Sequence, residues 1–121
     1  MDIKQILNGA DTGKWEEIDN SGVDALWRAL KPKEYDLFRK QSERKTRQGV
    51  VTDHEKLAKL CLDAMIMDWR GLDNNGQSYE CTSEHKIELD ENWMPFRLFW
   101  SSKLSDSVDG NIEITEAVAK N

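Results

Sequence analysis

Apolar residues alternate weakly with polar ones in the first third of the chain, on both sides of the polar turn at residues 20–22. The alternating positions are Trp15, Ile18, Val23, Ala25, Trp27 and Ala29. A period of two around Gly22, which can adopt a positive φ, predicts a β-hairpin. Residues 25–30 are also compatible with a helix, and this alternative stays open at the level of sequence.

The segment that begins at Pro32 is apolar in its first turns and purely polar afterwards. Proline is well tolerated in the first turn of a helix, so this pattern predicts a helix that is solvated at its end, before Gly49 interrupts the chain. The polar end contains the basic run from Arg39 to Arg47. We interpret this run as a solvated helix face, with a docking strip for an acidic partner surface as the alternative.

When the central part of the chain is drawn as a helix, apolar residues surround most of its circumference. Such a pattern is typical of a helix in the core of a small domain. Thr52 and Glu55 have the spacing of a capping box, which places the start of this helix near Asp53. Trp69 lies on an apolar stripe at its end, and we expect Gly71 to supply its left-handed C-terminal cap.

Polar turn residues separate this central helix from two further helical segments. The sequence "DNNG", from Asp73 to Gly76, is a strong turn signal because Asn and Gly readily adopt positive φ. Thr82 or Ser83 then precedes a short helix, and Pro95 lies in the first turn of another.

The last predicted helix carries a stripe of aromatic residues. Phe96, Phe99 and Trp100 are three and four residues apart, so they share one face, which Trp93 and Leu104 extend by about a turn each way. We call these five residues the aromatic stripe. It is more apolar surface than one face of a thin domain covers, so we predict that part of it binds a partner or a second copy of the chain. Packing in the core is the alternative.

Together these patterns predict a mainly α chain with a short N-terminal β-hairpin, which is an α+β fold with about four helices. We expect residues 1–104 to form a single helical domain that includes the hairpin. Residues 105–121 are polar with scattered Val and Ile, and they predict a flexible C-terminal tail.

The composition favours a small core under a highly charged surface. Charged residues make up 33% of the 121 residues, and the formal net charge is -6. Because this charge repels phosphate backbones, we expect no nucleic-acid partner. No stretch reaches the ~18 to 20 apolar residues that span a bilayer, and the first residues lack the pattern of a signal peptide. We therefore expect a soluble, cytoplasmic protein without a membrane partner, in which Cys61 and Cys81 are free thiols.

Candidate metal ligands occur near the polar turn. A calcium loop counted from Asp73 would end at Glu84, but Ser78 occupies the sixth position, where the sharp turn of an EF-hand requires glycine. Cys81 and His85 form a second pair, without the spacing of a zinc site. The sequence contains no nucleophile motif, zinc-protease motif or glycine-rich phosphate loop. We therefore predict that the protein is not an enzyme and uses no metal or other cofactor.

From Leu57 to Leu104 the features follow one another in a specific order. A long apolar helix ends in "DWRGL", the turn "DNNG" follows, and an extended "QSYEC" leads to the capped helix "TSEHKIEL" and to the aromatic helix. This order resembles the tail assembly chaperones of long-tailed bacteriophages and prophages. Upstream, "VDALWRALKPKEYDLFRK" is similar to the strand, turn and helix of that family, so the resemblance covers residues 23–104. The chain departs from the family where "YEC" replaces a proline-containing piece, and in its unusually aromatic residues 93–100.

The resemblance implies a chaperone that binds and shields the long, helical, apolar-patterned tape measure protein until the tail tube assembles around it. It places the protein in the cytoplasm of the bacterial host, and it implies structural roles for Trp69, Gly71, Asp73 and Gly76. Two other hypotheses remain open. One is a structural tail component, such as a tube or connector subunit, and the other is a small metal-binding regulator. The tail tube protein and a second copy of the chain are further candidate partners.

Overall fold

The computed structural model describes residues 13–120, with side chains to residue 107, and it begins with an antiparallel hairpin. Strands β1 (Lys14–Glu17) and β2 (Asp24–Trp27) pair along their whole lengths. The N–H of Ile18 donates to the carbonyl of Val23 at 2.8 Å and closes the loop between them. The alternating pattern therefore predicted these two strands correctly.

The basic segment after this hairpin is divided between a helix and a second hairpin. Helix α1 (Pro32–Gln41) is followed by strands β3 (Glu43–Thr46) and β4 (Gly49–Thr52), which pair antiparallel. The prediction that one helix covers the whole basic run is therefore wrong. The β-branched residues of β4 favour a strand, and Gly49, with a φ of +119°, supplies a turn geometry that few other residues adopt.

An ion pair joins α1 to the end of β2. Arg28 donates two hydrogen bonds of 2.8 Å, one to each carboxylate oxygen of Glu34. The same carboxylate accepts the backbone N–H of Lys31 at 3.1 Å, at the start of the helix. The Arg28 guanidinium lowers the pKa of Glu34 from 4.5 to about 2. The pair therefore stays ionised far below neutral pH.

The central helix is shorter than predicted, because its expected end is a strand. Helix α2 (His54–Met65) begins where the sequence indicated, although Asp53 rather than a Thr52 capping box caps it. The next residues form β5 (Ile66–Arg70), which pairs antiparallel with β2 and gives a sheet of order β1-β2-β5. An apolar run without a clear period fits a buried strand as well as a helix, and here the edge of β2 provides the hydrogen-bond partners.

Gly71 follows β5, so its predicted role as the cap of a helix is wrong. Its φ is +93°, and a Cβ atom at this position would lie 2.6 Å from the carbonyl oxygen of Gly22. Glycine is required here because the end of β5 passes directly against the backbone of the first hairpin.

The predicted turn at "DNNG" is the tip of a small hairpin. Strands β6 (Asp73–Asn74) and β7 (Gln77–Ser78) pair around Asn75 and Gly76, whose φ values are +53° and +82°. Two central residues with positive φ define the type I′ turn, for which Asn-Gly is the preferred sequence.

Two helices complete the described chain, and both begin where the sequence indicated. The hydroxyl of Thr82 caps α3 (Ser83–Asn92) by accepting the N–H of His85 at 3.1 Å. Helix α4 (Met94–Lys120) has Pro95 in its first turn. It continues through the segment for which a flexible tail was predicted, and the flexibility itself stays a prediction.

Trp69 of β5 is the point where the sheet, the small hairpin and α4 meet. Its ring packs edge-on against Phe96 at a centroid distance of 5.8 Å and lies parallel to the ring of Tyr79 at 5.9 Å. Its indole N–H donates to the carbonyl of Tyr79 at 2.6 Å. The core around it is formed by residues of the first hairpin and its loop, of the segment before α1, of β5 and of helices α2 and α4: Ile18, Val23, Ala25, Leu30, Leu57, Cys61, Leu62, Met65, Ile66, Phe96 and Trp100.

The fold of the described residues is α+β. Four helices accompany one three-stranded sheet and two separate hairpins, so the predicted N-terminal hairpin is one part of a larger β component. Helices α2, α3 and α4 contact one another, and α1 contacts α2.

Replacing Gly71 by alanine should destabilise the protein more than replacing Gly76 by alanine. Both positions have positive φ, which costs a non-glycine residue about 1–2 kcal/mol. Only the methyl group at Gly71 would also meet a backbone oxygen, whereas the one at Gly76 has no atom within 4 Å. Denaturant unfolding of the two variants measures the difference, and equal losses would mean that the backbone at Gly71 relaxes freely.

Trp69→Ala should lower the free energy of unfolding by about 3–5 kcal/mol, because the substitution leaves a cavity in the core. Trp15→Ala is the matched control. Trp15 is 38% exposed, and the Arg70 guanidinium lies 4.4 Å from the centre of its ring, so the loss for Trp15→Ala should be about 1 kcal/mol. Denaturant melts compare the two variants, and a loss below about 1 kcal/mol for Trp69→Ala would contradict its position at the centre of the core.

Candidate partner-binding groove

A groove of about 500 Å³ runs between α2 and α3 and is open to solvent. The two helices are antiparallel, because Ser83 at the start of α3 bonds to Asp63 near the end of α2, with the hydroxyl donating to Oδ1 at 2.7 Å. Both helices present an apolar side chain to the groove, since Leu60 of α2 and Ile87 of α3 are half-buried there. Beneath them Leu62 is buried in the core.

A smaller depression of about 140 Å³ continues this groove towards α4. The two share the side chains of Glu55, Lys59, Leu62 and Ile87. At its far end lies Trp100, whose indole N–H donates to Asp90 at 2.7 Å. The two depressions together follow the length of the α2–α3 helix pair.

A buried lysine of α3 bonds to α2 at one end of the groove. Only 7% of Lys86 is exposed, and its ammonium donates to the carbonyl of Asp63 at 2.9 Å and to the carboxylate of the same residue at 3.1 Å. Burial by itself raises the pKa of Asp63, but the hydrogen bonds from Ser83 and Lys86 lower it below its ordinary value. The aliphatic stem of Lys86 therefore contributes apolar surface while its charge is neutralised.

Two further ion pairs line the groove. Lys59 contacts Glu55 one turn away along α2 at 3.1 Å. Arg97 at the start of α4 contacts Asp90 of α3 at 3.1 Å. The rim is therefore charged, but most of its charges are neutralised within the chain.

The aromatic stripe lies against the core, and the partner-binding role of its half-buried residues stays a prediction. Phe96 is fully buried and Trp100 is 5% exposed, so both belong to the core, and Trp93 and Phe99 are half-buried against it. The helix turns this side towards α3 and the sheet. In the part of α4 whose side chains are described, the exposed large apolar residues are Met94 and Leu98, at 59% and 60%, on its opposite side.

The basic run does not form one surface either. Arg39 lies in the last turn of α1, where it contacts Asp36 at 3.6 Å. Arg47 lies in the turn between β3 and β4. The expectation that both arginines share a helix face is wrong, because the helix ends at Gln41.

Sequence reasoning missed the groove itself. Leu60 is one of the apolar residues that surround the central helix, a pattern that by itself indicates burial in the core, and Ile87 lies in a short helix whose pattern gives no signal of a binding surface. The available signal was the apolar pattern around most of the circumference of that helix, since a helix at the edge of a small domain cannot bury all of its sides. Which side stays open depends on where α3 packs.

The candidate metal ligands have other contacts in the structure. The ring of His85 stacks on Tyr79 at 4.2 Å, and its Nδ1 lies 2.7 Å from the carbonyl of Glu80. Burial raises the pKa of Cys61 and of Cys81 to about 11, so both thiols stay protonated at neutral pH. Among the residues that the structure describes, no group of three His, Cys, Asp or Glu side chains could hold a metal ion.

The chain matches no family model, no curated protein and no solved structure. Within residues 13–120, no helix has both the length and the apolar character needed to cross a membrane.

Asp63→Ala should destabilise the protein by about 1–3 kcal/mol, because it removes the carboxylate partner of a buried ammonium group. Lys86→Met should change stability by less than about 1 kcal/mol, since it keeps the apolar stem and leaves Asp63 solvated. The double variant should be only slightly less stable than Lys86→Met alone, because Asp63 has no ammonium partner once Lys86 is replaced. Chemical denaturation of the three variants tests this, and equal costs in both backgrounds would contradict the pairing.

Proposed function

We propose that the chain is a tail assembly chaperone of a long-tailed bacteriophage or prophage, which binds and shields the tape measure protein during tail assembly. The observation that carries this proposal is the open groove between α2 and α3, with Leu60 and Ile87 at its surface. A chaperone for a helical, apolar-patterned client needs such a surface, because an amphipathic helix docks by laying its apolar face into a hydrophobic groove. The proposal places the protein in the bacterial cytoplasm and requires no catalytic step.

The arrangement of the second half of the chain supports the proposal. The polar turn at β6 and β7, the helix capped by Thr82 and the final helix follow one another in the order on which the family resemblance depends. Where the resemblance led us to expect a helix ending at Trp69, the chain instead forms β5, so the support comes from the order of the elements and from the groove.

Co-expression tests this proposal directly. The tape measure protein of the same phage genome should be more soluble, and should co-purify, when it is expressed with this chain. Ile87→Glu should reduce co-purification at least about tenfold, because a carboxylate in an apolar groove costs more than ~1.4 kcal/mol of binding. Leu37→Glu is the control, since Leu37 is an exposed leucine of α1 that does not line the groove.

Absence of any complex with the unsubstituted chain would overturn the proposal. If the chain instead forms rings in electron micrographs without the tape measure protein, the alternative of a tube or connector subunit takes its place.

A further inference from the structure

The charges around the α2–α3 groove nearly cancel, although the chain as a whole has a net charge of -6. Four cations and five carboxylates line the two depressions: Lys56, Lys59, Lys86, Arg97, Asp53, Glu55, Asp63, Asp90 and Glu91. Six of these groups form the ion pairs described above. A seventh group, the carboxylate of Asp53, caps α2 by accepting a hydrogen bond from the backbone N–H of Lys56. The side chains of Lys56 and Glu91 remain, and they are exposed and of opposite sign.

This balance determines what the groove can recognise. A docking partner finds no excess of either charge to pair with, and a charged group placed over Leu60 or Ile87 would lose its hydration without compensation. Attraction between charges is thus a minor part of recognition at this surface, and the favourable contribution comes from apolar area removed from water.

We infer that the groove binds a helix of the tape measure protein through an apolar, uncharged face, with an affinity that is nearly independent of salt. The inference rests on the proposed function, which already places the partner in the groove, and adds to it the uncharged character of the docked face and the response of the affinity to salt. Charge complementarity selects this occupant: a nearly neutral groove suits a neutral face, whereas the basic side chains Arg39 and Arg47 would suit an acidic partner.

The length of the groove sets the length of the docking segment. Helix α2 has 12 residues and α3 has 10, so at 1.5 Å per residue the groove is about 15–18 Å long. About three turns of a partner helix fit this length, with apolar residues at positions i, i+3 or i+4, and i+7 facing the groove.

A peptide scan tests the inference. Overlapping peptides of about 25 residues from the tape measure protein would be labelled, and their binding to the full chain measured by fluorescence anisotropy at low and high NaCl. We expect the best-binding peptide to carry an uncharged apolar stripe, and its dissociation constant to change less than about threefold between roughly 50 and 500 mM salt. Weakening of about tenfold or more would overturn the inference, because it would show that charges dominate the contact.

Substitutions in the peptide probe the same point without affecting the fold of the protein. Replacing one residue of the apolar stripe by Glu or by Lys should weaken binding by similar factors, each of about tenfold or more. If either sign is tolerated, the groove selects for charge and the inference fails.

Variants of the protein locate the contact. Ile87→Glu and the milder Leu60→Gln should both weaken peptide binding, whereas Leu98→Glu, on the exposed side of α4, should leave it unchanged. Thermal melts identify any variant that does not fold, and Leu60→Gln keeps the test valid if Ile87→Glu is one of these. The reverse pattern, with binding lost only in Leu98→Glu, would overturn the inference and the groove as the contact, whereas co-purification of the tape measure protein with the unsubstituted chain would still support the chaperone function.

Two further outcomes distinguish failure of the inference from failure of the proposed function. If no tape measure peptide and no intact tape measure protein binds the chain, the proposed function and the inference both fail. If sedimentation shows a dimer that Ile87→Glu abolishes, the groove binds a second copy of the chain, which overturns the inference alone.

Discussion

The packing of Trp69 is the interaction on which the rest of the fold depends. The residue lies on β5, which adds to the edge of β2, and its ring contacts Phe96 of α4 and Tyr79 after β7. Strand β5, the segment after the small hairpin and α4 thus meet at one side chain. Because the indole N–H also donates to the Tyr79 carbonyl, the contact fixes the orientation of the ring as well as its burial. Helix α4 in turn contacts α2 and α3, the helices that border the groove.

The end of α2 at Met65 has consequences beyond the sheet. A helix that continued to Trp69 would leave the second edge of β2 without hydrogen-bond partners, whereas strand β5 satisfies it. Helix α2 therefore has 12 residues, close to the 10 of α3, and the chain returns through β6 and β7 so that Ser83 and Lys86 reach Asp63. The groove between α2 and α3 therefore follows from the choice of strand over helix at residues 66–70.

The electrostatic character of the surface differs from place to place. The net charge of -6 would suggest a strongly acidic protein, yet the lining of the groove is nearly neutral because Lys59, Lys86 and Arg97 each have a carboxylate partner. The exposed pairs of Lys59 and Arg97 contribute little to stability. Their effect on recognition is larger, since they leave the apolar residues between them as the main source of binding free energy.

The sequence by itself determined the turns and the helix start that depend only on a few adjacent residues. Alternation around Gly22 predicts the first hairpin, Asn75 and Gly76 predict a turn, and Thr82 predicts the start of α3, because each depends on backbone preferences within a few residues. Tertiary structure decided the end of α2, the burial of Phe96 and Trp100, and the location of the groove. These depend on which strand edge is free and on which side of a helix its neighbours cover, and an apolar pattern alone is compatible with both outcomes.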